Sequence, residues 1–226
     1  MLLVSRKALP PSSDKVIQEE GQEEAVESDE EERTLLSKNG IVNQIPVPHP
    51  LPQLLYTPPV NFGMVTHNLF RSSFPQKENF AYLRKLRLKS VLTLVQEPYP
   101  PENLAFLDSA GIQFFQFPIP GNKEPFIVIP DTSIIGALAT ILDKRNHPIL
   151  VHCNAGKHRT GCVMGILRRL QGWALTPVLA EYRMYATPKE RGMDQMFIEL
   201  FDVKNLCGKV DEENLDRRWG VEIAEE

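Results

Sequence analysis

Residues 148–161 read PILVHCNAGKHRTG, and within them Cys153 and Arg159 stand with five residues between. A cysteine that accepts a phosphoryl group must react as the thiolate, because the thiol is a poor nucleophile. The three oxygens of that group call for converging backbone N–H groups, which a loop curling into a helix N-terminus supplies. They also call for a fixed planar cation, and the bidentate fork of arginine suits this better than a lysine ammonium. Cys153 is therefore the candidate nucleophile and Arg159 the candidate fork. The loop between them, Asn154, Ala155, Gly156, Lys157 and His158, is the candidate phosphate cradle, with Gly156 where the backbone must turn. Thr160 is placed to hydrogen-bond the departing sulfur, and His152 to orient the loop from behind. The helix dipole and guanidinium that bind phosphate also favour the sulfur anion.

Two blander readings compete. One is a buried structural cysteine beside a surface arginine, which the strand–loop–helix setting and the flanking His, Gly and Thr-Gly make the weaker account. The other is a metal site on His152, Cys153 and His158, but their spacing is wrong for a closed zinc centre and no second Cys or His pair completes it. No metal and no cofactor are expected.

The elements that must position this loop follow from periodicity. Short strands are predicted at 63–66 and 68–71, a helix at 76–88, a strand at 90–95, a helix at 101–110 stopped by Gly111, and a strand at 112–118. A helix follows at 131–144, with Asp131 a plausible N-cap, then a buried strand at 149–152 and helices at 159–171, 176–185 and 194–203. Strands alternating with helices predict an α/β domain whose largely parallel sheet is covered on both faces. Cys162, on the helix after the loop, reads as core rather than as a resolving thiol.

His-Cys-x5-Arg-Thr-Gly is the phosphate loop of the protein tyrosine phosphatase superfamily. The wider run, LFRSSFPQKENFAYLRKLRLKSVLTL, then EPYPPENLAFLDSAGIQFFQFPIPGNKEPF, then HCNAGKHRTG, resembles the plant-and-fungal atypical dual-specificity phosphatases over residues 58–203. The resemblance implies a dual-specificity-type fold, with a central mostly parallel sheet of four to five strands flanked by helices. It implies removal of the β-phosphate from inositol pyrophosphates through a phosphocysteine on Cys153, with Arg159 supporting the transition state, and action on phosphoproteins is the alternative. It also implies that Asn122 and Lys123 contact the inositol phosphates from a loop where related enzymes carry an aspartic general acid. Here that loop reads Asn122-Lys123-Glu124, so Glu124 or Asp131 is left as the candidate acid, with Asp131 read first as a helix cap and Glu97 a remoter choice. A phosphate leaving from a diphosphate is a weak base and needs little protonation, which suits a site lacking the usual acid. Lys189 and Arg191, in an interhelical loop, are weaker candidates to reach the substrate, since charged loops are usually just solvated.

Composition sets the bounds. The chain has 226 residues, 42% hydrophobic and 24% charged, with a net charge of −4, which is globular composition. Residues 1–50 hold 5 basic and 10 acidic side chains, residues 206–226 hold 3 and 7, and the intervening 51–205 hold 17 and 12. A mildly basic phosphatase domain at 51–205 is thus expected between a disordered acidic and proline-rich tail at 1–50 and a loose acidic tail at 206–226, although Trp219 offers a way to dock. No apolar run is long enough to span a bilayer, and three scattered cysteines point to a reducing, cytoplasmic setting. A nucleic-acid partner is not expected, and nothing in the sequence bears on self-association. A non-catalytic phosphate-binding module is a further alternative, against which the intact Cys153 and Arg159 argue.

Overall fold

The structure, a computed structural model, describes residues 56–121 and 131–221. All of them belong to one compact unit, Leu54–Glu226. The tail expected at 1–50 lies outside the described residues.

Five short strands form the sheet: β1 (Gly63–Thr66), β2 (Leu69–Ser72), β3 (Ser90–Thr93), β4 (Gln113–Gln116) and β5 (Ile149–His152). Their order is β1-β2-β5-β3-β4, with β1 antiparallel to β2 and the other neighbours parallel. β5 lies centrally, in register with β2 (Ser72 opposite His152) and with β3 (Thr93 opposite His152). Every residue of β3 and β5 is buried, as expected of a parallel sheet covered on both faces.

The two-residue alternation of strands divides the core. Val91 and Leu150 face a cluster with Leu83, Phe106, Leu107 and Ile112, contributed by α1 (Phe80–Lys85), α2 (Pro101–Ser109) and the approach to β4. Leu92, Ile149 and Val151 face the opposite cluster, with Ile134, Leu138 and Ile141 of α3 (Asp131–Leu142) and Val163, Ile166 and Leu167 of α4 (His158–Leu170). Beyond α4, α5 (Leu175–Ala186) and α6 (Gly192–Leu200) close a third cluster around Cys162, Tyr182 and Ile198. Among the described residues, no helix is long and apolar enough to cross a membrane.

Element types agree with the sequence reading, while several of their ends differ. The helix expected at 76–88 is a 3-10 turn, Lys77–Asn79, running into α1, and it has ended before Arg87, whose φ is 51°. The strand expected from 68 starts at Leu69 because Asn68 takes the turn with φ 63°.

The C-terminal stretch departs from the expectation of a loose tail at 206–226. It packs through Val221, in 3-10 turns at Val203–Leu206, Glu212–Asn214 and Arg217–Trp219. Leu206, Trp219 and Val221 are buried, and the Trp219 ring stacks on His147, 4.6 Å between centroids at 9°. Acidic composition suggested a solvated tail, but these spaced apolar groups bury enough surface to dock it. Trp219→Ala is therefore expected to lower the free energy of unfolding by about 3 kcal/mol in urea titration. An undocked tail would leave it unchanged.

Candidate functional site

Central β5 ends at His152, and Cys153 follows as the first residue of a loop that enters α4 at His158. Gly156 stands in that loop at φ +67°, and a Cβ there would lie 2.5 Å from the Ser72 carbonyl carbon, so the backbone path excludes any side chain.

The loop carbonyls are turned into the protein. Asn154 O accepts from Phe74 N–H at 3.0 Å. Asn61 Nδ2 donates to Ala155 O at 3.3 Å and to Gly156 O at 3.1 Å, and Arg71 Nη2 donates to Gly156 O at 2.8 Å. In a trans peptide the next N–H points opposite to its carbonyl. The N–H groups of Ala155, Gly156 and Lys157 therefore face away from these donors, toward the cavity. They join the positive end of a 13-residue helix to make a cradle for an anion.

That cavity measures about 720 Å³, and Cys153, Asn154, Ala155, Lys157, His158 and Arg159 form its floor and one wall. Gln96 and Glu97 from the loop after β3, Pro120 and Gly121 from the loop after β4, and Lys189 and Arg191 from the loop between α5 and α6 complete the lining. Cys153 is 3% exposed, sunk at the cavity lining. Arg159 is half-buried, and its Nη1 donates to Leu94 O at 3.1 Å and Ile119 O at 3.5 Å, which holds the guanidinium in the wall of the cavity that Cys153 also lines. Five basic side chains line the cavity, and Glu97 is the one acidic lining residue among the described residues.

The expected site residues divide as follows. Cys153, Arg159 and the cradle residues come together. Lys157 Nζ reaches Thr187 O at 2.6 Å and His158 Nε2 donates to Lys189 O at 2.6 Å. These two side chains thereby fasten the α5–α6 loop and bring Lys189 and Arg191, read as weak candidates, to the cavity. His152 is wholly buried, with Nε2 3.0 Å from Tyr99 Oη and Nδ1 3.3 Å from Cys153 O. Burial pushes its pKa down to about 4 and raises that of Tyr99. The neutral ring donates from Nδ1 to the carbonyl and accepts the Tyr99 hydroxyl proton at Nε2. Thr160 Oγ1 is buried without a hydrogen-bond partner among the described residues. Asn122, Lys123 and Glu124 lie outside the described residues. Asp131 opens α3 exposed to solvent, takes a bond from Asn205 Nδ2 at 3.4 Å, and is not among the lining residues. Burial, with Asp194 alongside, raises the pKa of the Cys162 thiol well above its ordinary value and keeps it protonated, as suits core rather than redox chemistry.

Sequence reasoning missed Asn61, Arg71 and Tyr99, which support the loop from 94, 85 and 53 residues away in the chain. One signal was available for Arg71, a charge within a strand run that opens apolar, LFRSS.

Comparison with known proteins agrees with this geometry. The family model described as "Tyrosine phosphatase family" matches residues 56–219. The chain is 52% identical over 152 residues to "Inositol diphosphatase DSP1" of Oryza sativa subsp. japonica, a match covering 67% of this chain and 68% of that one. It is 50% identical over 156 residues to "Inositol diphosphatase SIW14" of Saccharomyces cerevisiae, covering 67% and 56%, so it spans little more than half of the yeast protein. The crystal structure of the core catalytic domain of that yeast protein, described as a PP-IP phosphatase in complex with citrate, matches with a TM-score of 0.66 and 45% identity, over 71% of this chain and 96% of that one.

The buried His152 gives a stability test. Its folded-state pKa of about 4 lies below the ordinary 6.5, so its contribution is complete above pH 6.5 and is lost as pH falls toward 4. Denaturant titrations across that range should show unfolding free energy falling by up to about 3 kcal/mol. His147, also held low by burial, adds to the slope, so the decisive comparison is with His152→Asn, whose profile should be flatter.

Proposed function

Because this chain belongs to the tyrosine phosphatase family, we propose that its cavity hydrolyses the β-phosphate of diphosphoinositol polyphosphates through a phosphocysteine intermediate, without a metal ion. The observation that carries the substrate class is the lining. Lys157, His158, Lys189 and Arg191 surround the Cys153–Arg159 pair in a cavity of about 720 Å³. A single phosphoryl group needs only the cradle and the fork, whereas a small molecule bearing many phosphates gains from cations all round it. The names of the relatives at about 50% identity support the same reading.

In this reading the Cys153 thiolate attacks the β-phosphorus. The sulfur–phosphorus bond forms as the bridging oxygen–phosphorus bond breaks, and that electron pair leaves on the inositol phosphate. The inward N–H groups of Ala155, Gly156 and Lys157 and the fork of Arg159 hold the equatorial oxygens as charge redistributes. Water then attacks the phosphocysteine, releasing inorganic phosphate and restoring the thiolate. The leaving phosphate is a weak base, so its departure asks little of an acid. Any proton transfer in the second step has Glu97 at the cavity wall as its local carboxylate. Asp131 is assigned to the start of its helix and not to the chemistry.

The test compares kcat/KM on diphosphoinositol pentakisphosphate and on a phosphotyrosine peptide, with a chelator present throughout. Cys153→Ser should abolish turnover of both. Asp131→Asn should stay close to wild type, and a loss of more than about a hundredfold would overturn its assignment. Lys189→Ala with Arg191→Ala should cost roughly tenfold or more on the inositol substrate and far less on the peptide. Equal or better use of the peptide by the wild type would favour a phosphoprotein phosphatase. Activity only after metal is restored would refute the metal-independent step.

A further inference from the structure

We propose that Arg71 is a positioning residue for the nucleophile, a buried cation beneath the phosphate loop that holds the Gly156 peptide and favours the anionic form of Cys153. Arg71 lies on β2 opposite Val151 of β5, two residues before the cysteine. It is 1% exposed and is the largest fully buried side chain among the described residues. Its Nη2 donates to Gly156 O at 2.8 Å, and the guanidinium carbon lies 3.7 Å from the centre of the Tyr185 ring. Nε and Nη1 are buried with no hydrogen-bond partner among the described residues, and none of the ion pairs there includes Arg71.

Such a group is costly to bury, and holding the loop does not explain why it must be charged. A neutral donor, Asn61 Nδ2, already reaches the same Gly156 oxygen at 3.1 Å. What the guanidinium adds is a positive charge buried under the phosphate loop, bound to the Gly156 carbonyl and beside the strand that leads into the cysteine, where low dielectric strengthens its attraction for an anion. The environment fits that role. Burial draws the Arg71 pKa down to about 10, which leaves it a cation at neutral pH, and Tyr185, Glu181 and Cys153 oppose that pull while Arg168 adds to it. Glu181 of α5 is itself engaged by Arg168 of α4 at 2.7 Å, so it is only partly a counter-charge. The other ionisable groups about Cys153 are the neutral His152 behind it, the protonated Cys162 on α4, and Arg159, Lys157, His158, Lys189, Arg191 and Glu97 around the shared cavity, none of which the Arg71 variants alter. The bond from a charged donor also polarises the Gly156–Lys157 peptide, which makes the Lys157 N–H a better donor to a phosphoryl oxygen.

The inference rests on Cys153 being the reactive thiol, and its test needs no substrate, so it stands apart from the choice between inositol pyrophosphate and phosphoprotein. The rate of Cys153 alkylation by iodoacetamide is followed against pH, with peptide mass spectrometry separating this site from Cys162 and Cys207. Arg71→Gln keeps a donor and loses the charge, Arg71→Met loses both, and Arg71→Lys keeps the charge. Each is first checked for cooperative melting. The midpoint of the alkylation profile should rise by a pH unit or more in the Gln and Met variants and stay within a few tenths of wild type in the Lys variant. Asn61→Ala, which removes a neutral donor, should slow turnover without moving the midpoint. A wild-type midpoint in a folded Gln or Met variant overturns the proposal. Should neither of these fold, the Lys variant decides, because a midpoint raised by a full unit despite the retained charge overturns it equally.

Discussion

Three peptide units between Asn154 and Lys157 must turn their carbonyls into the protein if their N–H groups are to meet an anion, and donors from distant parts of the chain hold them so. Phe74 N–H, Asn61 and Arg71 take the carbonyls of Asn154, Ala155 and Gly156. A helix N-terminus alone attracts anions weakly and without fixed geometry. Here the orientation is set in advance, at a cysteine almost closed off from solvent, so the amide dipoles need not rearrange when a phosphoryl group arrives. The absent Cβ of Gly156 belongs to the same constraint, since it lets the loop lie against the Ser72 backbone.

The fold explains why those donors are at hand. β2 and β3 flank β5 in parallel, with Ser72 and Thr93 both opposite His152. The segments leaving β2 and β3 therefore emerge on either side of the loop that leaves β5. Ligand sites of parallel α/β sheets gather at the carboxyl ends of the strands for this reason. Loops following β3, β4 and β5 contribute to one cavity, and the α5–α6 loop joins them because Lys157 and His158 grip its backbone. Side chains expected to meet substrate thus also brace the wall that carries two more cations.

What could be read from the sequence was what is local in the chain. Cys153 and Arg159 are close along the sequence, and the strand before and helix after them carry strong periodicity, so the strand–loop–helix that brings the pair to one cavity was legible from a dozen residues. Strand and helix order was legible too, because alternation of apolar runs survives without knowledge of partners. Element ends were not, since Asn68 and Arg87 stop their elements by adopting positive φ, which composition does not announce. Arg71, Asn61 and Tyr99 escaped notice because their roles exist only through contacts 53 to 95 residues away. The docking of Trp219 is hidden among acidic residues in the sequence, because its partner, the His147 ring, lies 72 residues away.

Arg159 is tied by a single nitrogen, Nη1, to carbonyls at the ends of two separate segments, Leu94 and Ile119. It behaves as a bracket rather than a swinging arm. A long flexible side chain gives up rotamer freedom when it clamps a ligand, and in this molecule that freedom is already gone before anything binds. One of its anchors, Ile119, directly precedes Pro120 and Gly121 of the lining, so the placing of the guanidinium and the path of that stretch of the cavity wall are one mechanical unit.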